Sequence, residues 1–135
     1  MATYLLDTTT FSLFIKENPR VRSRLGSLAV TDRIVICSIV LGEVLYGIEL
    51  MPPGRKRREL ERKVGGLLAR LQCESIPEEA GKRYARIKRE ADQKGTRLDE
   101  NDLWIAATAL CIDATLVTND SDFQRVSGLK LENWI

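Results

Sequence analysis

Near its N-terminus the chain carries Tyr4-Leu5-Leu6-Asp7, a short apolar run that ends at a carboxylate, followed by the triplet Thr8-Thr9-Thr10. An unbroken apolar run of this kind is typical of a strand that is buried on both faces of a parallel sheet. A threonine hydroxyl caps helix N-termini well, so we expect a helix to begin directly after the strand and to reach about residue 16. The segment therefore predicts a strand that passes straight into a helix.

The same alternation continues along the rest of the chain. Further strands are predicted at 34–37, 73–76, 114–117 and, at a sheet edge, 129–131. Helices are predicted at 19–28, 39–50 with Ser38 as N-cap, 55–71, 77–94 and 99–112, and a short helical turn at 123–126. This order predicts an α/β fold with a mostly parallel central sheet flanked by helices. The 135 residues contain no repeat or linker, so we expect residues 1–135 to form a single domain.

The composition excludes several kinds of catalytic site. The chain has no histidine, which excludes a Ser-His-Asp or Cys-His site and a ribonuclease with two catalytic histidines, and disfavours a typical zinc site. Its three cysteines are far apart and form no C-x-x-C pair, as expected of a protein in a reducing cytoplasm. For hydrolysis, carboxylates with a hard metal ion remain.

The sequence predicts neither export nor membrane insertion. The N-terminus lacks the basic segment of a secretory signal, and the longest apolar stretch, Leu103–Ile112, is too short to cross a bilayer. We therefore expect a cytoplasmic protein without membrane contact.

Four carboxylates stand where a shared site is expected. Ligands bind at the carboxyl ends of the strands in open α/β sheets, and Asp7 and Asp120 each follow a predicted strand. Glu43 lies within a nearly all-apolar helix and Asp102 heads an apolar run, where an ionised group requires compensation. Two carboxylates about 4 Å apart repel by roughly 4 kcal/mol at an effective dielectric near 20. A divalent cation removes that repulsion, activates water and neutralises charge on a phosphate.

Each of these residues also has a purely structural interpretation. Asp7 suits a helix N-cap, Glu43 could pair with a buried arginine, and Asp102 suits the first turn of a helix. Asp120 and Asp122 are common turn residues. Taken singly these alternatives stay open, and a shared site is inferred only from the joint placement of the carboxylates.

Four segments carry a more specific signal: Tyr4-Leu-Leu-Asp-Thr-Thr9, Ser38-Ile-Val-Leu-Gly-Glu-Val-Leu-Tyr-Gly47, Asn101-Asp-Leu-Trp-Ile-Ala-Ala107 and Leu116-Val-Thr-Asn-Asp-Ser-Asp-Phe123. In order and spacing they resemble the PIN-domain family, and within it the VapC-type toxins of bacterial or archaeal toxin–antitoxin pairs. The first segment is weak alone, whereas the four together are specific. The resemblance implies a three-layer PIN-like fold and an endoribonuclease that cuts RNA with Mg²⁺ or Mn²⁺.

The resemblance also assigns the acidic residues. Asp7, Glu43 and Asp102 match the three most regular acidic positions of the family, and the fourth lies in the loop after the strand at 114–117. Asp120 is the first choice for that fourth position, although Asp122 also fits. By this resemblance Asp7, Asp102 and Asp120 bind the metal ion. Glu43 binds it directly or through a water molecule and helps to orient the nucleophile.

Two further positions and two partners follow from the same resemblance. Thr118 matches a small hydroxyl position beside the metal, and Asp99 would belong to the outer shell of the site. The family implies a VapB-like antitoxin that wraps the toxin and blocks the acidic pocket with its C-terminal segment. It also implies a homodimer.

Two predicted helices are rich in cations that could contact an RNA backbone. These cations are Arg55, Lys56, Arg57, Arg58, Arg62 and Lys63 on one helix, and Lys82, Arg83, Arg86, Lys88 and Arg89 on the other. Because glutamates are interspersed, a solvated helix face or a protein contact is an equal alternative.

Competing functions fit the chain less well. A haloacid-dehalogenase-type phosphatase needs a second aspartate two residues after Asp7, where this chain has Thr9. A receiver domain gives no reason for Glu43 and Asp102, and no phosphate-cradling glycine motif is present. The main rival is a non-catalytic PIN-type module that binds RNA or protein, and a nuclease acting on DNA is a further alternative.

Overall fold

A computed structural model describes residues 1–135. The strands are β1 (Thr3–Leu6), β2 (Arg33–Cys37), β3 (Gln72–Glu74), β4 (Thr115–Val117) and β5 (Lys130–Glu132). The helices are α1 (Thr8–Ile15), α2 (Pro19–Gly26), α3 (Ser38–Glu49), α4 (Arg55–Leu68), α5 (Glu78–Lys94) and α6 (Glu100–Cys111). A short 3₁₀ helix covers Ser121–Arg125. All four strand pairings are parallel, and the sheet order is β3-β2-β1-β4-β5.

The apolar run at the start of the chain forms the central strand. Leu5 and Leu6 on β1 are completely buried, as are Val35 and Leu116 on the two neighbouring strands. Burial on both faces explains why these strands read as continuous apolar runs instead of alternating ones. Because the chain moves from β1 to β2 and β3 on one side and returns to β4 and β5 on the other, β1 and β4 flank the point where the strand order reverses. Open α/β sheets bind ligands beyond the strand ends at such a point.

The predicted α/β class is confirmed, and the sheet is parallel throughout. Two predicted helix caps are wrong. The N-cap of α1 is Asp7 instead of one of the threonines at 8–10. Ser38 was predicted as the N-cap of α3, but it is the first residue of that helix. The N-cap is Cys37, which has an extended backbone and makes no side-chain capping bond. The Ser38 hydroxyl instead donates to the Glu74 carbonyl oxygen at 3.4 Å, which ties α3 to the neighbouring strand β3.

The C-terminal segment packs against α2 and β1 near the N-terminus. Arg24 on α2 donates from Nε to Glu132 Oε1 at 2.7 Å, and its Nη2 lies 2.6 Å from the same oxygen. Trp134 Nε1 donates to that oxygen at 2.8 Å, and the Arg24 guanidinium lies over the rings of Tyr4 and Trp134. We call Arg24, Glu132 and Trp134 the C-terminal clasp, since they hold β5 against α2 and β1.

The predicted cysteine and membrane properties can be compared with the structure. Cys37 is buried, Cys111 is partly buried and Cys73 is exposed, and none forms a disulfide. Burial raises the pKa of the Cys37 thiol. No helix combines the length and apolar character that crossing a membrane requires.

Candidate active site

The junction of β1 and β4 positions the first candidate residue, Asp7. Its backbone N–H donates to the Val117 carbonyl oxygen at 3.0 Å and so continues the β1–β4 pairing for one residue. The carboxylate is almost completely buried, and its Oδ1 accepts from the Thr10 backbone N–H at 2.8 Å. Asp7 is therefore the N-cap of α1. The internal hydrogen bonds of the protein use Oδ1 alone, so capping does not occupy the whole carboxylate.

Glu43 reaches the same region from α3. Its Oε1 accepts from the Thr8 hydroxyl at 2.5 Å, and its Oε2 lies 3.4 Å from the Asn101 side-chain nitrogen. Thr8 directly follows Asp7 and Asn101 directly precedes Asp102, so Glu43 lies between the neighbours of two other candidate acids. No arginine pairs with Glu43, and the buried ion pair considered from the sequence is wrong.

Asp102 lies in the first turn of α6 and is half-buried. Desolvation by burial, followed by the negative charges of Asp99, Asp120, Glu43 and Asp7, raises the pKa of Asp102 from its ordinary value to about 6. A helix N-terminus favours a negative charge, so burial together with the surrounding carboxylates outweighs that effect at Asp102. Burial is the largest cause of this shift, and the charges of Asp99, Asp120, Glu43 and Asp7 add to it because these carboxylates lie near Asp102.

The loop after β4 supplies Asp120 and holds it in a defined turn. Thr118 is buried, its N–H donates to the Glu132 carbonyl oxygen at 2.9 Å, and its hydroxyl accepts from the Asp120 N–H at 3.0 Å. Asp120 in turn caps the 3₁₀ helix through the Asp122 N–H at 2.9 Å. Asp122 faces a different partner, because its Oδ1 lies 3.2 Å from Arg125 Nη2. Asp120 contributes to the raised pKa of Asp102, whereas Asp122 is not among its causes.

The candidate carboxylates lie near one another, but their side chains do not form a metal-binding arrangement. The carboxylates are close enough to raise the pKa of Asp102, yet no three histidine, cysteine, aspartate or glutamate side chains are arranged as a ready-made set of metal ligands. Like charges favour conformations in which the carboxylates stand apart, since each close pair costs several kcal/mol. The backbone brings the four acids to one end of the sheet, and a bound cation would draw their side chains together by offsetting this repulsion.

The chemistry of the donor set fits a hard divalent cation. The candidate ligands are carboxylate oxygens, with hydroxyl and amide oxygens beside them, and no nitrogen or sulfur ligand is present among them. Oxygen-rich sets of this type suit Mg²⁺ or Mn²⁺ better than Zn²⁺. A half-buried Asp102 with four other carboxylates acting on it is an environment whose repulsion a cation would offset.

Two residues of the site were missed in the sequence. Thr8 was considered only as a helix cap and Asn101 only as part of a motif, yet both contact Glu43. The available signal was their position next to Asp7 and Asp102 in two of the quoted segments. Asp99 is the N-cap of α6, because its side chain accepts from the Asn101 backbone N–H at 3.2 Å.

The basic helices α4 and α5 are divided between ion pairs and unpaired cations. Five of the eleven cations pair with a carboxylate: Arg55, Arg57, Lys63, Lys82 and Lys88. Lys88 binds Glu100 at the start of α6, so α5 borders the acidic region. The other six cations have no carboxylate partner and stay candidates for RNA or protein contact: Lys56, Arg58, Arg62, Arg83, Arg86 and Arg89.

Comparison with known proteins identifies close matches over the whole chain. The family model of the PIN domain matches residues 4–129. Ribonuclease VapC2 of Rickettsia felis is 35% identical over 133 residues, which are 97% of each chain. The tRNA(fMet)-specific endonuclease VapC of Salmonella typhimurium is 32% identical over 137 residues, or 99% of each chain.

Solved structures agree with this match. The VapBC2 complex of Rickettsia felis bound to a promoter DNA fragment contains a chain with a TM-score of 0.90 and 34% identity, covering 98% of this chain and 99% of that one. The DNA-bound VapBC of Salmonella typhimurium gives a TM-score of 0.88 at 29% identity, with both chains covered completely.

Proposed function

Because the chain belongs to the PIN-domain family and, within it, to the VapC ribonucleases, we propose that it is a metal-dependent endoribonuclease and the toxin of a toxin–antitoxin pair. Ribonucleases of this family generally require a metal ion. The substrate is RNA, and the protein acts in the cytoplasm as one PIN domain formed by residues 1–135. The observation that carries the proposal in this chain is the common field of Asp7, Glu43, Asp99 and Asp120 around Asp102.

We assign the metal to Asp7, Asp102 and Asp120, with Glu43 as a fourth ligand or as the acceptor of a metal-bound water molecule. The free oxygen of Asp7 and the half-buried carboxyl of Asp102 support this assignment. Mg²⁺ is the first candidate and Mn²⁺ the second, since both prefer oxygen ligands. When bound, the ion would activate water and neutralise charge on the scissile phosphodiester. Asp122 stays an alternative prediction for the fourth acidic position. Because its carboxylate already pairs with Arg125, we favour Asp120 as the metal ligand.

Glu43 has the additional task of orienting the attacking water. Thr8 and Asn101 each contact one of its two carboxylate oxygens, which restricts the rotation of its side chain before substrate arrives. A fixed acceptor contributes to the rate because no rearrangement is then needed in the transition state. Thr118 acts differently, since it holds the backbone of Asp120 in place.

The partner we propose is a VapB-like antitoxin. Several related structures are VapBC complexes, including those from Rickettsia felis and Salmonella typhimurium that are bound to DNA. The matching chain is covered almost completely in both, so an equivalent surface is available here. A homodimer stays a prediction, which light scattering of the purified protein would test.

The experiment that tests the proposal is incubation of the purified full chain with total RNA in Mg²⁺, in Mn²⁺ and in EDTA. Asp7→Asn and Asp102→Asn variants are run in parallel, with Asp113→Asn as a control because the Asp113 side chain is exposed and pairs with Lys130. Cleavage that requires a metal and is lost in both variants but kept in the control supports the nuclease assignment. Wild-type protein that binds metal and RNA without cutting would favour the non-catalytic binding module.

A further inference from the structure

A polar cavity of about 250 Å³ opens directly beside the candidate active site. One wall is the loop that carries Thr118 and Asp120, and the other is the end of β5 at Glu132 and Asn133. Thr118 and Asp120 therefore belong both to the cavity and to the candidate active site. An engineered cavity of about 150 Å³ accommodates benzene, so this volume is sufficient for a one- or two-ring base.

The cavity is lined by two carboxylates, Asp120 and Glu132, and by no positively charged side chain. No lysine or arginine lines it, so a phosphate group would find no cation there. Its second carboxylate, Glu132, is engaged by the C-terminal clasp, in which Oε1 receives hydrogen bonds from Arg24 and Trp134. The positive charge of Arg24, which does not line the cavity, thereby offsets the negative charge of Glu132. The wall away from Asp120 suits an uncharged polar group.

Three carboxamides supply the polar groups of that wall. Asn119 and Gln124 are exposed and their side chains make no hydrogen bond within the protein, while Asn133 uses only its Oδ1, which accepts from the Ile135 N–H at 2.9 Å. A carboxamide presents a donor and an acceptor in one plane, which matches the edge of a nucleobase. Leu131 provides an apolar contact for the face of a base.

We propose that this cavity holds one nucleobase of the RNA, next to the scissile phosphodiester, and that Asn119, Gln124 and Asn133 read its edge. The proposal rests on the proposed ribonuclease function, because Asp120 fixes where the phosphodiester lies. Single-stranded RNA is read through unstacked bases that are splayed out and bonded along their edges. A base seated between Asp120 and Asn133 would set the nucleotide preference at one position flanking the cut.

The test is a cleavage-site preference measurement on a short RNA pool randomised around a single cut site. Wild type, Asn119→Ala, Gln124→Ala and Asn133→Ala are compared by sequencing the cleaved ends. Gln93→Ala is the matched control, a carboxamide on the exposed face of α5. We expect wild type to prefer one base at a flanking position, and at least one cavity variant to reduce that preference roughly tenfold, with total cleavage and the other positions nearly unchanged.

Equal preferences in wild type and all three cavity variants would overturn the base-reading cavity while leaving the nuclease function intact. A second readout does not need cleavage. In EDTA, the side-chain amide NMR signals of Asn119, Gln124 and Asn133 should shift when a short single-stranded RNA is added, and the Gln93 signal should not. Unchanged cavity signals at an RNA concentration that shifts other resonances would likewise contradict the proposal.

Discussion

The Thr8 hydroxyl donates to Glu43 Oε1 at 2.5 Å and thereby joins the start of α1 to the middle of α3. Thr8 directly follows Asp7, the residue after the central strand, so this bond links Glu43 to the residue next to Asp7. On the other side, the Asn101 amide nitrogen lies 3.4 Å from Glu43 Oε2. Glu43 is thus held by two neutral donors instead of a cation. Its negative charge stays available to a metal ion.

Replacing Thr8 with valine removes the hydroxyl donor while preserving the side-chain shape. Hydrogen bonds to charged groups contribute about 1.5–3 kcal/mol, and solvent access at this half-buried position places the effect near the lower limit. We expect Thr8→Val to lower the maximal cleavage rate about tenfold with little change in KM. Thr8→Ser keeps the donor and is the control. Equal rates for the two variants would contradict a role for the hydroxyl.

Metal binding should stabilise the fold through the same carboxylates. A ligand that binds only the folded state adds about 2.7 kcal/mol at a concentration of one hundred times its Kd. Thermal unfolding of wild type should therefore shift upward with Mg²⁺ or Mn²⁺, and addition of EDTA should reverse the shift. Asp7→Asn and Asp102→Asn should show a much smaller shift. A full shift in either variant would place the metal elsewhere.

The raised pKa of Asp102 makes stability depend on pH in the absence of metal. Its folded pKa of about 6 exceeds the ordinary value of 3.8, so the native state binds more protons than the unfolded state between these values. Stability from this group is therefore fully present below about pH 4 and declines as the pH rises to about 6. After allowance for solvent screening the loss is about 1–2 kcal/mol.

Denaturant unfolding in EDTA at pH 4 and pH 7 measures this effect. Relative to wild type, Asp102→Asn should gain about 1–2 kcal/mol in its free energy of unfolding between the two pH values, because the amide does not ionise. Saturating Mg²⁺ should abolish that gain at pH 7. A constant difference between variant and wild type at both pH values would rule out the shared field around Asp102.

The C-terminal clasp should contribute measurably to stability. Arg24 combines a short ion pair to Glu132 with contacts over two aromatic rings, whereas Arg22 on the same helix makes only an exposed pair with Glu17 at 3.6 Å. We expect Arg24→Ala to lower the free energy of unfolding by about 1–2 kcal/mol and Arg22→Ala by less than about 0.5 kcal/mol. Thermal denaturation of both variants, with Arg24→Lys as an intermediate case, provides the comparison.

The sequence was sufficient to predict the elements that depend on local pattern. The apolar runs at Leu5 and Val35 predicted buried strands. The predicted helix at 77–94 ends where the sequence said it would, and Gly95 follows it in a left-handed conformation with φ of 66°. The rule that ligands bind at the carboxyl ends of parallel strands also predicted that Asp7 and Asp120 lie at one edge of the sheet. These features depend on residues that are close in sequence or on a general rule of sheet topology.

Contacts that depend on the rotation of a helix or on distant segments could not be predicted in this way. The bond between Thr8 and Glu43 spans 35 residues, and the Arg24–Glu132 contact spans 108. Periodicity fixes which face of a helix is apolar but leaves open which polar side chain meets which partner. Ser38 illustrates the same limit, because its hydroxyl bonds to β3 instead of capping its own helix.

The most direct measurement is the single-turnover cleavage rate of one defined single-stranded RNA at saturating Mg²⁺ or Mn²⁺. It compares wild type with Asp102→Asn, which preserves the shape of the side chain, and with Asp122→Asn, whose carboxylate faces Arg125. Removing a metal ligand at the centre of the site should reduce the rate at least about a hundredfold, as loss of a single catalytic stabilising group does. We predict that loss for Asp102→Asn and a change below about tenfold for Asp122→Asn. An Asp102→Asn protein that folds normally and cuts at the wild-type rate would contradict a carboxylate-bound metal site centred on Asp102.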